Sequence, residues 1–202
     1  MKKTFLIVCT CLFSFLSFSQ TEKNIIYQDK YGIQISEETF LQYDKVKNYI
    51  VKTENDNTIT NKITPRLGFS QLNNNQLNII HSKLKKLIGN EFNPKKNIAI
   101  HTFNKERKAL KKAINNKQYW DYIKYTNTTN EKYQSFLVIS KNSKEVKSKK
   151  RKVYIDNENF ILNTFFSKSI FDINHIIIKP DGKLYTFYGN PDILMALDSL
   201  FL

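Results

Sequence analysis

Three histidines, a few carboxamides and one lysine-rich run are the residues of this 202-residue chain whose types and spacing bear on chemistry. His101 lies inside the apolar run NIAIHTF, residues 97–103, and Asn174 and His175 open the passage INHIIIKPDGKLYTFYG, residues 173–189. Two imidazoles can hold a transition metal together with a carboxylate or an Asn, or bind an anion once protonated. Two histidines do not complete a ligand set, however, and partly buried histidines bonded to backbone are common. The third, His81, flanks the apolar face of a helical pattern and reads as a surface or boundary residue. Lys144, Lys147, Lys149, Lys150, Arg151 and Lys152 form the densest basic run, suited to an anionic surface through counterion release. No aromatic residues interleave it as nucleic-acid grooves require, so no nucleic acid is expected, and a solvated connector has the same composition.

Several chemistries are excluded at once. Both cysteines, Cys9 and Cys11, fall in the first twenty residues, so the chain beyond them has no disulfide, thiolate nucleophile or Cys metal site. The five glycines are too scattered for a phosphate-cradling loop, and His-Glu-x-x-His and Gly-x-Ser-x-Gly are absent. No cofactor is implied and no metal site is assigned.

The opening MKKTFLIVCTCLFSFLSFSQ has the three parts of an export signal: Lys2 and Lys3, an apolar run from Phe5, and the small residues Ser17 and Ser19 before the cut. The run is shorter than the ~20 apolar residues a bilayer core needs, which favours a cleaved leader over an anchor. Val8 precedes Cys9 before the apolar run has developed, which argues against a lipoprotein. The expectation is a periplasmic or secreted protein of a Gram-negative bacterium, with residues 1–19 removed and no transmembrane segment left. A formal charge of +14 favours polyanions such as lipopolysaccharide phosphates or acidic polysaccharide. An AT-rich genome yields the same surplus of Lys, Asn and Ile, so charge alone names no partner.

The elements that must position these residues follow from periodicity. Two short strands flank a turn ending at Gly32, Ser36 caps a short helix, and two more strand candidates surround Glu54-Asn55-Asp56-Asn57. Leu77, Ile80, Leu84, Leu87 and Ile88 recur at helical spacing between a capping pair, Asn73 and Gln76, and a terminating Gly89, which predicts a helix over about 74–88. Strands are expected at 97–103 and at SFLVIS, 135–140, with a helix opened by Asn104 between them. Tyr119, Trp120, Tyr122 and Tyr125 could stack on sugars or peptides, but such a cluster more often packs a helix on a core. Asp156 or Asn157 is expected to cap a helix holding Phe160, Ile161, Phe165 and Phe166. Two strands then meet at Pro180-Asp181-Gly182, and Asn190-Pro191-Asp192 opens a last helix.

This order implies parallel strands with right-handed crossovers followed by an antiparallel pair. With NIAIHTF, SFLVIS and above all INHIIIKPDGKLYTFYG leading into NPDILMALDSL, it resembles the thioredoxin-like family, over about 97–202 and more faintly from 58. The resemblance implies an α/β fold, a thioredoxin-like three-layer sandwich with a mixed central sheet and helices on both faces, preceded by an N-terminal α/β extension over 20–57. It also implies a Cys-x-x-Cys motif where the first central strand meets its helix, but that junction reads His101-Thr-Phe-Asn-Lys-Glu-Arg107. The position of the family's cis-proline falls on Asn174, for which a trans bond is expected because a non-proline cis bond costs about 2.5 to 4 kcal/mol. The same topology places the strands of His101 and His175 side by side and antiparallel, toward the sheet end where family active sites lie. His101, Asn104, Asn174 and His175 are therefore the candidate ligand-binding set. The expected function is an exported, redox-inactive thioredoxin-like protein acting as a binding or accessory module for an unknown protein. The alternatives are an enzyme using the remodelled cleft near His101 and His175, with or without a metal, and a basic protein adhering to envelope polyanions.

Overall fold

A computed structural model describes residues 23–103, 110–111, 115–129, 131–141, 143, 152–167 and 169–189, without the side chain of Tyr119. The chain divides into two compact units, Met1–Pro65 and Arg66–Leu202.

In the first unit, strands β1 (Asn24–Gln28), β2 (Gln34–Ile35), β3 (Asn48–Glu54) and β4 (Thr58–Pro65) form a sheet of order β2-β1-β4-β3. The β1–β2 turn closes on Asp29, whose carboxylate accepts from the amides of Tyr31 and Ile33, with Gly32 at φ 86°. The short helix α1 (Glu37–Leu41) is capped as expected, Ser36 Oγ accepting from Thr39 N. Asn55 Oδ1 organises the β3–β4 turn by accepting from the amides of Asn57 and Thr58. Phe40, against Tyr27 and Tyr43, is the one buried apolar side chain among this unit's described residues. A boundary at 58 would have given Thr58–Pro65 to the second unit. The structure instead pairs that segment with β1 and β3, because its ladder partners lie at 24–28 and 48–54.

The second unit holds a six-stranded sheet of order β5-β10-β9-β6-β7-β8. Its strands are β5 (Leu67–Gln71), β6 (Asn97–Phe103), β7 (Tyr133–Ser140), β8 (Tyr154–Asp156), β9 (Ile173–Ile178) and β10 (Lys183–Tyr188). β6, β7 and β8 are parallel, whereas β9 and β10 run antiparallel as a hairpin and β5 closes the edge against β10. Helices α2 (Asn74–Ile88) and α4 (Phe160–Phe165) pack on one face and α3 (Lys117–Thr128) on the other. Three layers with a mixed central sheet, parallel strands first and an antiparallel hairpin last, make this unit a thioredoxin-like α/β sandwich.

The local rules that specify these elements operate as read. α2 spans the expected residues, its capping box closed by Asn73 Oδ1 accepting from Gln76 N and Gln76 Oε1 accepting from Asn73 N. It buries Ile80, Leu84 and Ile88, one per turn, onto Ile98, Ile100, Ile176 and Ile178 of β6 and β9. Each such isoleucine is essentially unexposed and contributes roughly 1.5–3 kcal/mol by leaving water. The opposite face gathers Ala99, Phe103, Leu137, Ile139 and Ile177 beneath Ile123 of α3. Strand alternation does the sorting, even-numbered residues of β6 and β9 facing α2 and odd-numbered ones facing α3.

Two details differ from expectation. Tyr154–Asp156 is a short edge strand, which three residues with one exposed isoleucine do not announce. Asp156 does bind the start of α4, through Oδ2 accepting from Ile161 N at 2.7 Å, yet the cap position itself is Asn159, in the left-handed region at φ 51°. The aromatics Trp120 and Tyr122 pack on the α3 face of the core, whereas Tyr125 is exposed. No helix among the described residues is long and apolar enough to cross a membrane. The segment expected to be a leader, Asn104 with the helix expected to start there, and the C-terminal segment from Asn190 lie outside the described residues.

Candidate functional site: a buried histidine pair

The register of β6 and β9 sets His101 opposite His175, so the expected neighbourhood of the two histidines is realised. Both residues are odd-numbered and face α3. Their Nδ1 atoms stand 3.0 Å apart, and His101 Nε2 stands 2.7 Å from Ser135 Oγ on β7. A contact between two ring nitrogens at that distance needs one proton between them, so one imidazole donates and the other accepts. The serine hydroxyl adjusts to either choice, giving a hydrogen-bonded chain His175–His101–Ser135 across three strands.

The pair lies inside the sheet. His101 is 1% exposed, His175 2% and Ser135 0%. His101 is two residues from the end of β6 and His175 two from the start of β9, toward the sheet end as expected, and Thr102 and Phe103, which follow His101, are buried like it. Burial is the main cause that holds the His101 imidazole well below its usual pKa, and the neighbouring His175 adds to it. Each Nδ1 is taken up by the other, and among the described residues no group of three or more His, Cys, Asp or Glu converges as a metal centre.

Asn174 does not join them. Alternation turns it to the α2 face, where Oδ1 accepts from Ser169 Oγ at 2.8 Å and Nδ2 donates to Phe171 O at 3.1 Å. Its carboxamide thus fastens the segment that enters β9, and the described backbone holds no cis peptide bond. Of the basic run, Lys152 is the member described: its Nζ is bonded to Glu91, and it lies over the Tyr154 ring at 5.2 Å. Lys144, Lys147, Lys149, Lys150 and Arg151 lie outside the described residues. His81 is a boundary residue of α2, its Nε2 enclosed without a hydrogen bond and its ring edge-on to Phe92 at 5.6 Å.

Ser135 and Asn127 were not singled out from sequence, although both belong to this cluster. Asn127, on the last turn of α3, grips the Ser135 backbone from both sides: Nδ2 donates to Ser135 O at 2.8 Å and Oδ1 accepts from Ser135 N at 2.6 Å. β8 pairs with β7 only from Val138 onward, so the side-chain amide stands in for a missing strand at Ser135. Ser135 shares the odd-numbered face with Leu137 and Ile139, and that parity was a readable signal. Asn127 carried none, since its role exists only once α3 docks. Asn127→Ala leaves a buried N–H and C=O unpaired and is expected to cost about 2 kcal/mol, read as a lower urea midpoint with unchanged slope.

The fold and site together define a thioredoxin-like sandwich whose central polar cluster is imidazole and hydroxyl instead of thiol. Among solved structures, the chain is similar to the pneumococcal exposed lipoprotein thioredoxin from Streptococcus pneumoniae strain TIGR4, at 16% identity and a TM-score of 0.40 over 54% of this chain and 85% of that one. No protein-family profile matches the chain. No curated protein matches it either.

Proposed function

We propose that this protein is an exported, redox-inactive thioredoxin-like binding or accessory module. One observation carries the reading. At the junction where the resemblance implies paired thiols, residues 101–107 hold no cysteine, and beyond Cys11 the chain has none. His101 at the start of that junction bonds to His175 and Ser135 on the neighbouring strands, at 1%, 2% and 0% exposure. That burial weighs against a cleft enzyme, because a general base must reach its substrate. The leader-like segment at 1–19 supports export to the periplasm or beyond.

Insulin reduction by the chain from Gln20 onward is expected to equal the buffer control, and turnover with dithiothreitol as reductant would overturn the reading. Export is tested by expressing the full chain in a Gram-negative host and sequencing the N-terminus of the exported protein, with Gln20 expected. A cytoplasmic, uncleaved chain contradicts it. With Lys2 and Lys3 removed along with the leader, the remaining formal charge of 14 − 2 = +12 also supports adhesion to envelope polyanions. In that case retention on isolated envelopes falls steeply between 50 and 200 mM salt, on the order of 10³-fold or more, whereas a packed protein interface is far less sensitive.

A further inference from the structure

A strand at the edge of a sheet offers a row of unpaired amides to any other chain, and proteins blunt such edges with short strands, charges, proline or bulges. The edge strands described here are β2 and β3 in the first sheet and β5 and β8 in the second. β2 is two residues long and β8 three, and β3 carries Lys52 and Glu54. Upstream of β8, the Asn127 carboxamide plugs β7 at Ser135. β5, LGFSQ, has none of these devices. It holds no charge and no proline, and it pairs one-to-one with β10 from Gln71 against Lys183 to Leu67 against Phe187, without a bulge.

Its outer side is open. Leu72 N donates to Gly182 O and Tyr188 N donates to Arg66 O, so the even-numbered residues turn their backbone groups to β10, and Leu67, Phe69 and Gln71 turn theirs outward. No described strand takes them up. On the α3 face Phe69 is 61% and Leu67 43% exposed, with the Phe69 ring 5.3 Å from that of Tyr185. On the α2 face the strand presents only Gly68 and Ser70, and Thr186 Oγ1 fills the place beside Gly68, 2.5 Å from where a Cβ would stand. An occupant of this edge is therefore extended and uncharged, with apolar side chains at alternate positions on one face and small ones on the other. β5 of a second copy is such a segment.

We infer that two copies of this chain join antiparallel along β5, about a two-fold axis at Phe69, so that one sheet runs through both. In that register Phe69 stands opposite Phe69 of the second copy and Leu67 opposite its Gln71. The outward amides then face one another and close the seam with about six N–H···O bonds, and the two Phe69 rings form a cross-strand aromatic pair. Charge permits the contact at this edge. The chain is strongly positive, but β5 brings no charge to the seam, and the flanking Arg66 of the two copies stand about 20 Å apart at ~3.4 Å per residue, beyond the ~8 Å screening length. Lys179, over the Tyr185 ring, lies one strand further in. Five residues a side fall well short of the ~1,600 Å² of a stable complex, so the dimer is weak, with a dissociation constant on the order of 100 µM. The inference is independent of export and of the missing thiols.

The test is sedimentation equilibrium up to about 1 mM, on the full chain and on the chain from Gln20 onward, which lacks the apolar leader-like segment. Both are expected to dimerise, and more tightly at about 500 mM than at about 50 mM salt, because screening weakens the repulsion between like-charged copies. Phe69→Lys sets two cations against each other, and Phe69→Pro removes an outward N–H that β10 does not use; each is expected to weaken dimerisation at least about tenfold. Ile155→Lys, on the β8 edge and 44% exposed, is the control and leaves it unchanged. Hydrogen exchange gives a second readout: the amides of Leu67, Phe69 and Gln71 slow as concentration rises, whereas those of Gly68 and Ser70 do not change. The inference is overturned by a monomer at about 1 mM, by dimerisation confined to the full chain, by Phe69→Lys dimerising like the parent, or by Ile155→Lys weakening it equally. Protection of the three outward amides in the dilute monomer would also overturn it, since another segment of the same chain would then hold the edge.

Discussion

Acidifying the protein from pH 7 to pH 5 is expected to lower its unfolding free energy by up to about 1.4 kcal/mol for each pH unit lying between 6.5 and the depressed native pKa of His101. In the native state burial, with His175 alongside, keeps that imidazole neutral, whereas in the unfolded chain it takes a proton near pH 6.5. Below 6.5 the unfolded state therefore binds more protons. The stabilisation is fully present above that pH and is lost as pH falls through the native value. His81 contributes with the same sign, its pKa lowered by burial alone, so the cleanest measurement is made on a His81→Leu background. The carboxylates with lowered values, Asp44, Glu54, Glu91, Glu158 and Asp181, titrate beneath this window and leave it to the imidazoles. Urea unfolding followed by circular dichroism at half-unit intervals should show the slope, and His101→Leu should remove one proton's worth of it. Equal midpoints at pH 7 and pH 5 would contradict a buried, neutral His101. At pH 7 the single substitution is expected to cost about 2–4 kcal/mol, since His175 Nδ1 and Ser135 Oγ each lose a partner. Adding His175→Leu should recover part of that cost, because removing both members of a buried pair is milder than orphaning one.

Gly182→Ala should destabilise the second unit by about 3 kcal/mol. At φ +84° an L side chain costs about 1–2 kcal/mol, and a Cβ there would stand 2.6 Å from Leu72 O and 2.9 Å from Gln71 Nε2. The carbonyl belongs to the backbone that docks the end of β5 on the hairpin, where Leu72 N donates to Gly182 O and Gln71 Nε2 donates to Asp181 O. Relieving the clash therefore breaks those bonds as well, at about 1 kcal/mol each. Gly89 is the natural control. Its φ is +81° and its ψ −143°, a region open essentially to glycine, so Gly89→Ala carries backbone strain of about 1–3 kcal/mol but no clash, since nothing lies within 4 Å of its would-be Cβ. A Gly182→Ala urea midpoint equal to the parent's would show that the Leu72 contact does not matter.

Legibility followed the range of the interactions. α2 was readable to its ends because a capping box, a one-per-turn apolar stripe and a terminating glycine are contained within residues 73–89. The face that each residue of β6 and β9 presents was readable too, since alternation alone turns Asn174 away from His175. Grouping the two as one candidate set overlooked that parity. Nothing local distinguishes TITNKITP, β4, from a strand of the second sheet. Only its ladder with β1 and β3 decides.

By itself the sequence determined the α/β order, the absence of thiol chemistry beyond Cys11, and the antiparallel ending that sets His101 against His175. Tertiary structure decided that those histidines share a proton out of reach of solvent, that Asn127 completes the edge of β7, and that Lys83 and Lys86 of α2 both pair with Glu158. The physical reason is the same throughout. Periodicity and turn chemistry are properties of neighbouring residues, whereas burial and side-chain partnership arise only when segments 34, 8 and 72–75 residues apart are packed together.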